Sequence, residues 1–221
     1  MAVDKEKQII IMCGGQYDQF KKPKQLTEIN GEPLLERTLR LLRDNGIQNY
    51  YISATDPIFD KYGRILRHEN SYKVIDDKIY GYWLDAYYPT DKPTIYLHGD
   101  VYYTKDAIKK ILNYDAKENT FIGNKLALNE EHHNWGEPFG YIVVDQKKFR
   151  EDIDKTKKLQ DEGKLDRGYA ISWELYRVQN GYDPNYMLVN LDNYLVIDDD
   201  TIDIDEPSQI EELQNKVRGK A

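Results

Sequence analysis

The chain has 221 residues, a formal net charge of −8, a pI near 5.1 and a single cysteine. The acidic balance argues against a nucleic acid polymer as partner, which needs a basic face, and no apolar stretch approaches the roughly 18 residues of a membrane span. Cys13 alone cannot close an internal disulfide, which fits a reducing, cytoplasmic setting.

The N-terminus, Met1 to Lys7, is charged and shows no apolar signal-peptide core before the first strand. Ile9-Ile10-Ile11-Met12-Cys13 is a continuous apolar run, the pattern of a strand covered on both faces. Gly14-Gly15 follows and lets the backbone turn close to a ligand. Lys21, Lys22 and Lys24 then add positive charge to the same loop, which suits a polyanion such as a nucleoside triphosphate. The alternative is an ordinary tight turn beside solvated lysines. Asn30-Gly31 marks a turn, and Pro33 opens a helix with Leu34, Leu35, Thr38, Leu39 and Leu42 at helical spacing, stopped at Gly46. Tyr50 to Ala54 reads as the next strand, completing a right-handed βαβ unit.

Ile58 to Asn70 has no clear period, and Tyr80 to Tyr88 reads as a helix closed by Pro89. Thr94 to His98 is a buried strand ending in Gly99-Asp100, and Thr104 caps a helix carrying Ala107, Ile108, Ile111 and Leu112. Thr120 to Ile122 and Tyr141 to Val144 are further strands. Gln146 to Gln160 predicts a solvated helix, and Ser172 to Asn180 a helix stopped by Gly181. Leu195 to Ile197 is a short strand, Thr201 to Asp205 alternates apolar and acidic residues like a half-buried strand, and a last helix starts near Pro207. No linker rich in Pro, Gly or Ser interrupts the chain, so the expectation is one α/β domain over 1–221 with a mainly parallel, mixed sheet and flanking helices.

Ligands of open α/β sheets bind beyond the carboxyl ends of the strands. Three features fall there: Cys13-Gly14-Gly15-Gln16, Ser53-Ala54-Thr55 and Gly99-Asp100. The glycine loop is neither a Walker A sequence nor a G-x-G-x-x-G fingerprint. Asp100 at a strand end can reach a Mg²⁺ ion, with Asp203 and Asp205 the best-placed partners. Its alternative role is a turn former or helix cap. Asp198 to Asp200 reads as a solvated turn, and the adjacent His132 and His133 as a solvated loop.

Pro23-Lys24-Gln25-Leu26, then Ile29-Asn30-Gly31-Glu32-Pro33-Leu34-Leu35-Glu36-Arg37-Thr38-Leu39, together with the glycine loop, resemble the sugar-phosphate nucleotidyltransferases, the small cytidylyltransferases among them. His98-Gly99-Asp100 and Ile202-Asp203-Ile204-Asp205-Glu206-Pro207 are similar to two later segments of that family. The resemblance implies a GT-A-like, Rossmann-like nucleotide-diphospho-sugar transferase fold. It also implies attack of a phosphorylated small molecule, such as a sugar or polyol phosphate, on the α-phosphate of an NTP, weakly CTP, with release of pyrophosphate. By carry-over, Gly14 and Gly15 cradle the nucleotide, flanked by Cys13, Gln16, Ser53 and Ala54, and Lys24 neutralises phosphate charge. Asp100 holds Mg²⁺ with Asp205 as second ligand and Asp203 in reserve. Relatives place an arginine in the glycine loop. Gln16 to Phe20 contains none, which leaves Lys21 or Lys22 to grip the triphosphate with point charges rather than a fork.

The resemblance divides the chain into a nucleotide-binding part, about 1–115, and an acceptor-binding part, about 116–221. It places Glu137 and Tyr141, with Arg167 and Trp173, at the second substrate. Trp and Tyr faces suit a sugar, a polyol or a quaternary amine, and their alternative role is core packing or a dimer surface. The expected product feeds surface polysaccharide assembly, and the expected state is a monomer or homodimer. Two other functions stay open: a GT-A glycosyltransferase consuming a nucleotide sugar, and a non-catalytic nucleotide-binding subunit, suggested by the missing loop arginine.

Overall fold

The computed structural model of the chain describes residues 7–14, 20, 22–68, 73–75, 78–124, 136–185 and 191–218. Strand β1 (Gln8–Met12) is followed by a 3-10 turn (Lys24–Leu26) and a short hairpin, β2 (Glu28–Ile29) and β3 (Glu32–Pro33). The hairpin turns at Asn30-Gly31, with φ of 52° and 83°, the left-handed pair that Asn-Gly supplies at low cost. Helix α1 (Leu34–Asp44) buries Leu34, Leu35, Thr38, Leu39, Leu41 and Leu42. Each such leucine contributes roughly 1.5–3 kcal/mol on leaving water. Then come β4 (Tyr51–Ala54), β5 (Arg64–Arg67), β6 (Lys73–Ile75), β7 (Lys78–Tyr80), β8 (Thr94–His98), β9 (Val101–Tyr102) and α2 (Lys105–Asn113). The Thr104 hydroxyl caps α2 by accepting from the Ala107 N–H. The remaining elements are β10 (Thr120–Asn124), β11 (Pro138–Val143), α3 (Gln146–Asp161), α4 (Ser172–Gln179), β12 (Tyr194–Ile197), β13 (Ile202–Asp203) and α5 (Pro207–Arg218).

Seven strands form one sheet in the order β12-β10-β11-β8-β1-β4-β5. Within it β11 alone runs antiparallel to its neighbours, β8 and β10. The pairs β1–β4, β1–β8, β4–β5 and β10–β12 are parallel. The continuous apolar run of β1 follows from this position. Ile9 and Ile11 join the core under α1 and α2, while Ile10 and Met12 point to the opposite face with Phe149, Ile153, Trp173 and Tyr176 of α3 and α4. A third, small core of Ile29, Leu34, Tyr102, Ile204 and Leu213 lies under α5. No helix among the described residues is long and apolar enough to cross a membrane.

Three local expectations change. Tyr80 to Tyr88 holds only a 3-10 turn, Trp83–Ala86, bounded before it by Gly81 at φ 72° and after it by Tyr87, which leaves helical geometry at ψ 73°. The stretch without clear period contains β5, an edge strand whose Arg64-Ile65-Leu66-Arg67 carries too few apolar residues to announce itself. In Thr201–Asp205 the pattern of acids outward fails at Asp203, which is 9% exposed.

Candidate active site

The carboxyl ends of β1 and β8 lie side by side, joined where the Gly99 N–H donates to the Met12 carbonyl at 2.9 Å. Gly99 is required there: a Cβ would stand 2.6 Å from the Met12 carbonyl oxygen. The short antiparallel ladder of β9 and β13 sets Asp203 opposite Val101, and the Ile204 N–H donates to the Asp100 carbonyl at 3.3 Å. Asp100, Asp203 and Asp205 therefore arrive together from segments a hundred residues apart in sequence.

Lys24 reaches this cluster from the 3-10 turn, whose Gln25 and Leu26 are buried beneath it. Its Nζ lies 2.9 Å from Asp205 Oδ1 and 3.2 Å from Asp100 Oδ2. Burial works to lower the proton affinity of the ammonium, but Asp100, Asp203 and Asp205 together override it and hold the group above the ordinary lysine range. Burial, reinforced by Asp100 and Asp205, pushes the Asp203 carboxyl well above the usual carboxylate range. Its Oδ1 is buried without a hydrogen-bond partner, which costs about 1–3 kcal/mol where no ligand compensates. Glu137 Oε2 accepts from the Asp203 N–H at 3.1 Å. Burial raises the Glu137 carboxyl too, against that hydrogen bond.

Lys24, Asp100, Asp203 and Asp205 line a cavity of about 260 Å³ together with Gly14, Gln25, Trp83, His98, Arg167, Tyr169 and Ser172. His98 sits at the end of β8 with Nδ1 3.0 Å from the Pro138 carbonyl and Nε2 3.2 Å from Ser172 Oγ. The carbonyl can only accept, so Nδ1 carries the proton and Nε2 accepts. Trp83 packs edge-on against the ring at 5.4 Å. Burial depresses the imidazole pKa from 6.5 to about 4, which keeps it neutral. An unfolded chain takes that proton below pH 6.5 and the folded one resists it, so the stability His98 contributes is full above 6.5 and is lost as pH falls through about 4. The loss is on the order of 3 kcal/mol. Denaturant titrations from pH 7 to 4 are expected to show a flatter stability profile for His98→Gln than for the parent; parallel profiles would contradict a buried neutral imidazole.

On α4, Glu174 caps its own helix by accepting from the Ile171 N–H at 3.0 Å. Its other oxygen lies 3.7 Å from Arg167 Nε and 3.4 Å from Arg177 Nη1. The nearly buried Glu174 thereby fixes Arg167, which lines the cavity, next to Tyr169.

Of the residues singled out from sequence, Gly14, Lys24, Asp100, Asp203, Asp205 and Arg167 line this cavity, and Glu137 braces it through Asp203. Gly15, Gln16 and Lys21, and the pair His132 and His133, lie outside the described residues. Lys22 pairs with Glu28 at 3.0 Å on the surface. Cys13, Ser53 and Ala54 are wholly buried at strand ends behind the cavity lining, and burial, aided by Asp100, raises the Cys13 thiol. Two acceptor-side expectations need correction. Tyr141 is fully buried against Tyr87, Phe121 and Phe149, and Trp173 is buried on Phe121 with its Nε1 donating to the Gly136 carbonyl at 2.8 Å. Both are core residues because the sheet face they meet is aromatic. Sequence reasoning missed Gln25, Trp83, His98 and Ser172 as lining residues. Gln25 and His98 stand inside quoted motifs and Ser172 opens the predicted helix, whereas nothing local marks Trp83.

Among the described residues no group of three or more His, Cys, Asp or Glu side chains is arranged to hold a metal ion. The Lys24 ammonium joins Asp100 to Asp205 instead. The hard oxygen donors Asp100, Asp203 and Asp205 are nonetheless the set suited to a hard divalent cation.

The sequence model for the MobA-like NTP transferase domain matches residues 9–164. No curated protein sequence matches. The fold is similar to that of the inositol-1-phosphate CTP transferase from T. maritima, with a TM-score of 0.54, 14% identity and 96% of each chain covered. It is also similar to a putative glucose-1-phosphate thymidylyltransferase from Bacillus anthracis, with a TM-score of 0.56, 13% identity, and 96% of this chain and 95% of that one covered. A third similar structure is the CTP:phosphocholine cytidylyltransferase from Streptococcus pneumoniae, with a TM-score of 0.53, 14% identity, and 96% of this chain and 99% of that one covered. At these identities the likeness establishes the GT-A-like, mixed α/β fold.

Proposed function

This chain belongs to the MobA-like NTP transferase family, and from that premise we propose that it transfers the nucleotidyl group of an NTP to a phosphorylated small molecule. An acceptor phosphate oxygen forms a bond to the α-phosphorus, the bond from that phosphorus to the bridging oxygen breaks, and pyrophosphate leaves. No side-chain nucleophile is needed, so catalysis consists of positioning and charge stabilisation. The observation that carries this reading is Lys24 among Asp100, Asp203 and Asp205 beside Gly14, at the carboxyl edge of a mainly parallel sheet.

In this reading residues 1–115 take the nucleotide and 116–221 the acceptor. Gly14 lets the polyphosphate approach the backbone, and Lys24 neutralises its charge. Asp100 and Asp205, with Asp203, would hold Mg²⁺, which supplies further neutralisation of the polyphosphate when bound. The unpartnered Asp203 oxygen and the all-oxygen donor set fit such an ion. Arg167, fixed by Glu174, is placed to take the acceptor's phosphate. CTP is the first donor to test, because two of the similar folds are a CTP transferase and a cytidylyltransferase. The reaction is assigned to the cytoplasm, and its product is an activated sugar, polyol or amino alcohol of the kind surface glycan assembly consumes.

The test is pyrophosphate release. The protein is incubated with each of the four NTPs, Mg²⁺ and a panel of phosphate esters including inositol phosphate, hexose 1-phosphates and phosphocholine. Pyrophosphate is expected with one NTP and in an acceptor-dependent manner. Release of free nucleoside diphosphate from a nucleotide sugar instead would favour a glycosyltransferase, and nucleotide binding without turnover would favour a non-catalytic subunit.

A further inference from the structure

The Asp100, Asp203 and Asp205 cluster is held together by a cation the protein itself provides. Lys24 bridges Asp205 at 2.9 Å and Asp100 at 3.2 Å, with only 14% of its side chain exposed. The cluster is still one partner short: Asp203 lines the same cavity, is 9% exposed, and leaves Oδ1 without a hydrogen bond. Lys24 is anchored at its base, where Pro23 and the buried Gln25 and Leu26 fix the 3-10 turn. The four-carbon stem beyond that point can swing its tip without disturbing the backbone.

An ammonium and a divalent cation cannot share these carboxylates, because like charges a few ångströms apart in a half-buried cavity repel strongly. Entry of the metal must therefore expel the ammonium, and an ammonium expelled into a cavity with no anion is poorly solvated. A polyphosphate removes that obstacle by accepting the displaced Lys24. We propose that Lys24 is the resident counter-cation of the Asp100–Asp203–Asp205 cluster, exchanged for a divalent cation only when a polyphosphate arrives to receive the ammonium. This rests on the nucleotidyltransferase reading and adds to it a binding order: free metal binds weakly, and metal and nucleotide promote each other. Reciprocity of linked binding makes the two effects equal in size.

The experiment is a Mn²⁺ titration followed by electron paramagnetic resonance, on the full chain without nucleotide. Lys24→Met is expected to bind Mn²⁺ at least tenfold more tightly than the parent protein. Lys24→Arg keeps the resident charge and is expected to bind as weakly as the parent. Adding Asp203→Asn to Lys24→Met is expected to abolish the gain. In thermal melts without metal, Lys24→Met is expected to unfold at a lower temperature than the parent and to recover on adding Mn²⁺. If Lys24→Met proves too unstable to titrate, Lys24→Gln takes its place in every arm. Equal or weaker Mn²⁺ binding by the uncharged variant overturns the proposal, and so does an equal gain in Lys24→Arg. Because no nucleotide is present, this outcome is separate from pyrophosphate release by the parent protein, which alone tests the underlying function.

Discussion

Asp100→Ala is expected to lower pyrophosphate release by about a thousandfold, roughly 4 kcal/mol of transition-state stabilisation, while moving the melting temperature by only a few degrees. The large term arises because Asp100 stands where the strand ends β1 and β8 open into the cavity, and the chemistry proposed there depends on concentrated charge. The small term follows from its contacts. Removing Asp100 leaves the Lys24 ammonium paired with Asp205 at 2.9 Å, so no buried charge is stranded without a partner. The bond from the Ile204 N–H goes to the Asp100 backbone carbonyl and survives the substitution. Loss of one carboxylate also relieves Asp203, whose protonation Asp100 promotes. Turnover and circular dichroism melts on the same preparation separate the two effects. Activity within tenfold of the parent would remove Asp100 from the site, and a collapse in melting temperature would make it a structural residue. Asp100→Asn, which keeps the shape and loses the charge, is expected to be as inactive as the alanine variant.

The sequence announces the fold wherever its pattern is local. The β1 run, the turn at Asn30-Gly31, the leucine face of α1 and the Gly99-Asp100 strand end are each encoded in a handful of consecutive residues, and all appear where the patterns place them. Asp203 shows where that legibility ends. Alternation from Thr201 to Asp205 suggests acids facing water, yet the two-residue ladder of β9 and β13 turns Asp203 inward beside Glu137. The decision belongs to a partner strand a hundred residues upstream, and no window around Asp203 contains it. Tyr141 and Trp173 err in the opposite direction. Their aromatic faces suit a sugar, but the β10, β11 and β12 face is itself aromatic and absorbs them into the core. Trp83 remained hidden because it reaches the cavity from a 3-10 turn that carries no repeating pattern.

Gly140→Ala is expected to cost roughly 3–5 kcal/mol and about 10 °C in melting temperature. Gly140 lies inside β11, opposite Leu97 of β8 and Ile122 of β10, at φ 153°. A Cβ there would fall 2.1 Å from the Tyr96 carbonyl oxygen. That neighbour is backbone in a central strand, so it cannot rotate away as a flexible side chain would. Relief requires separating β11 from β8, and the separation reaches the cavity directly. Pro138, at the start of β11, receives the His98 Nδ1 hydrogen bond, and Glu137 just before it supports the Asp203 backbone. Gly140→Ala is therefore expected to lose activity as well as stability, even at temperatures where it remains folded. Gly163→Ala supplies the contrast. It also sits at positive φ, 65°, but nothing lies within 4 Å of its missing Cβ. The cost there is only the left-handed backbone penalty of about 1–2 kcal/mol, and turnover is expected to be unchanged. Equal losses in the two variants would mean that the close approach of β11 to β8 contributes nothing beyond backbone conformation.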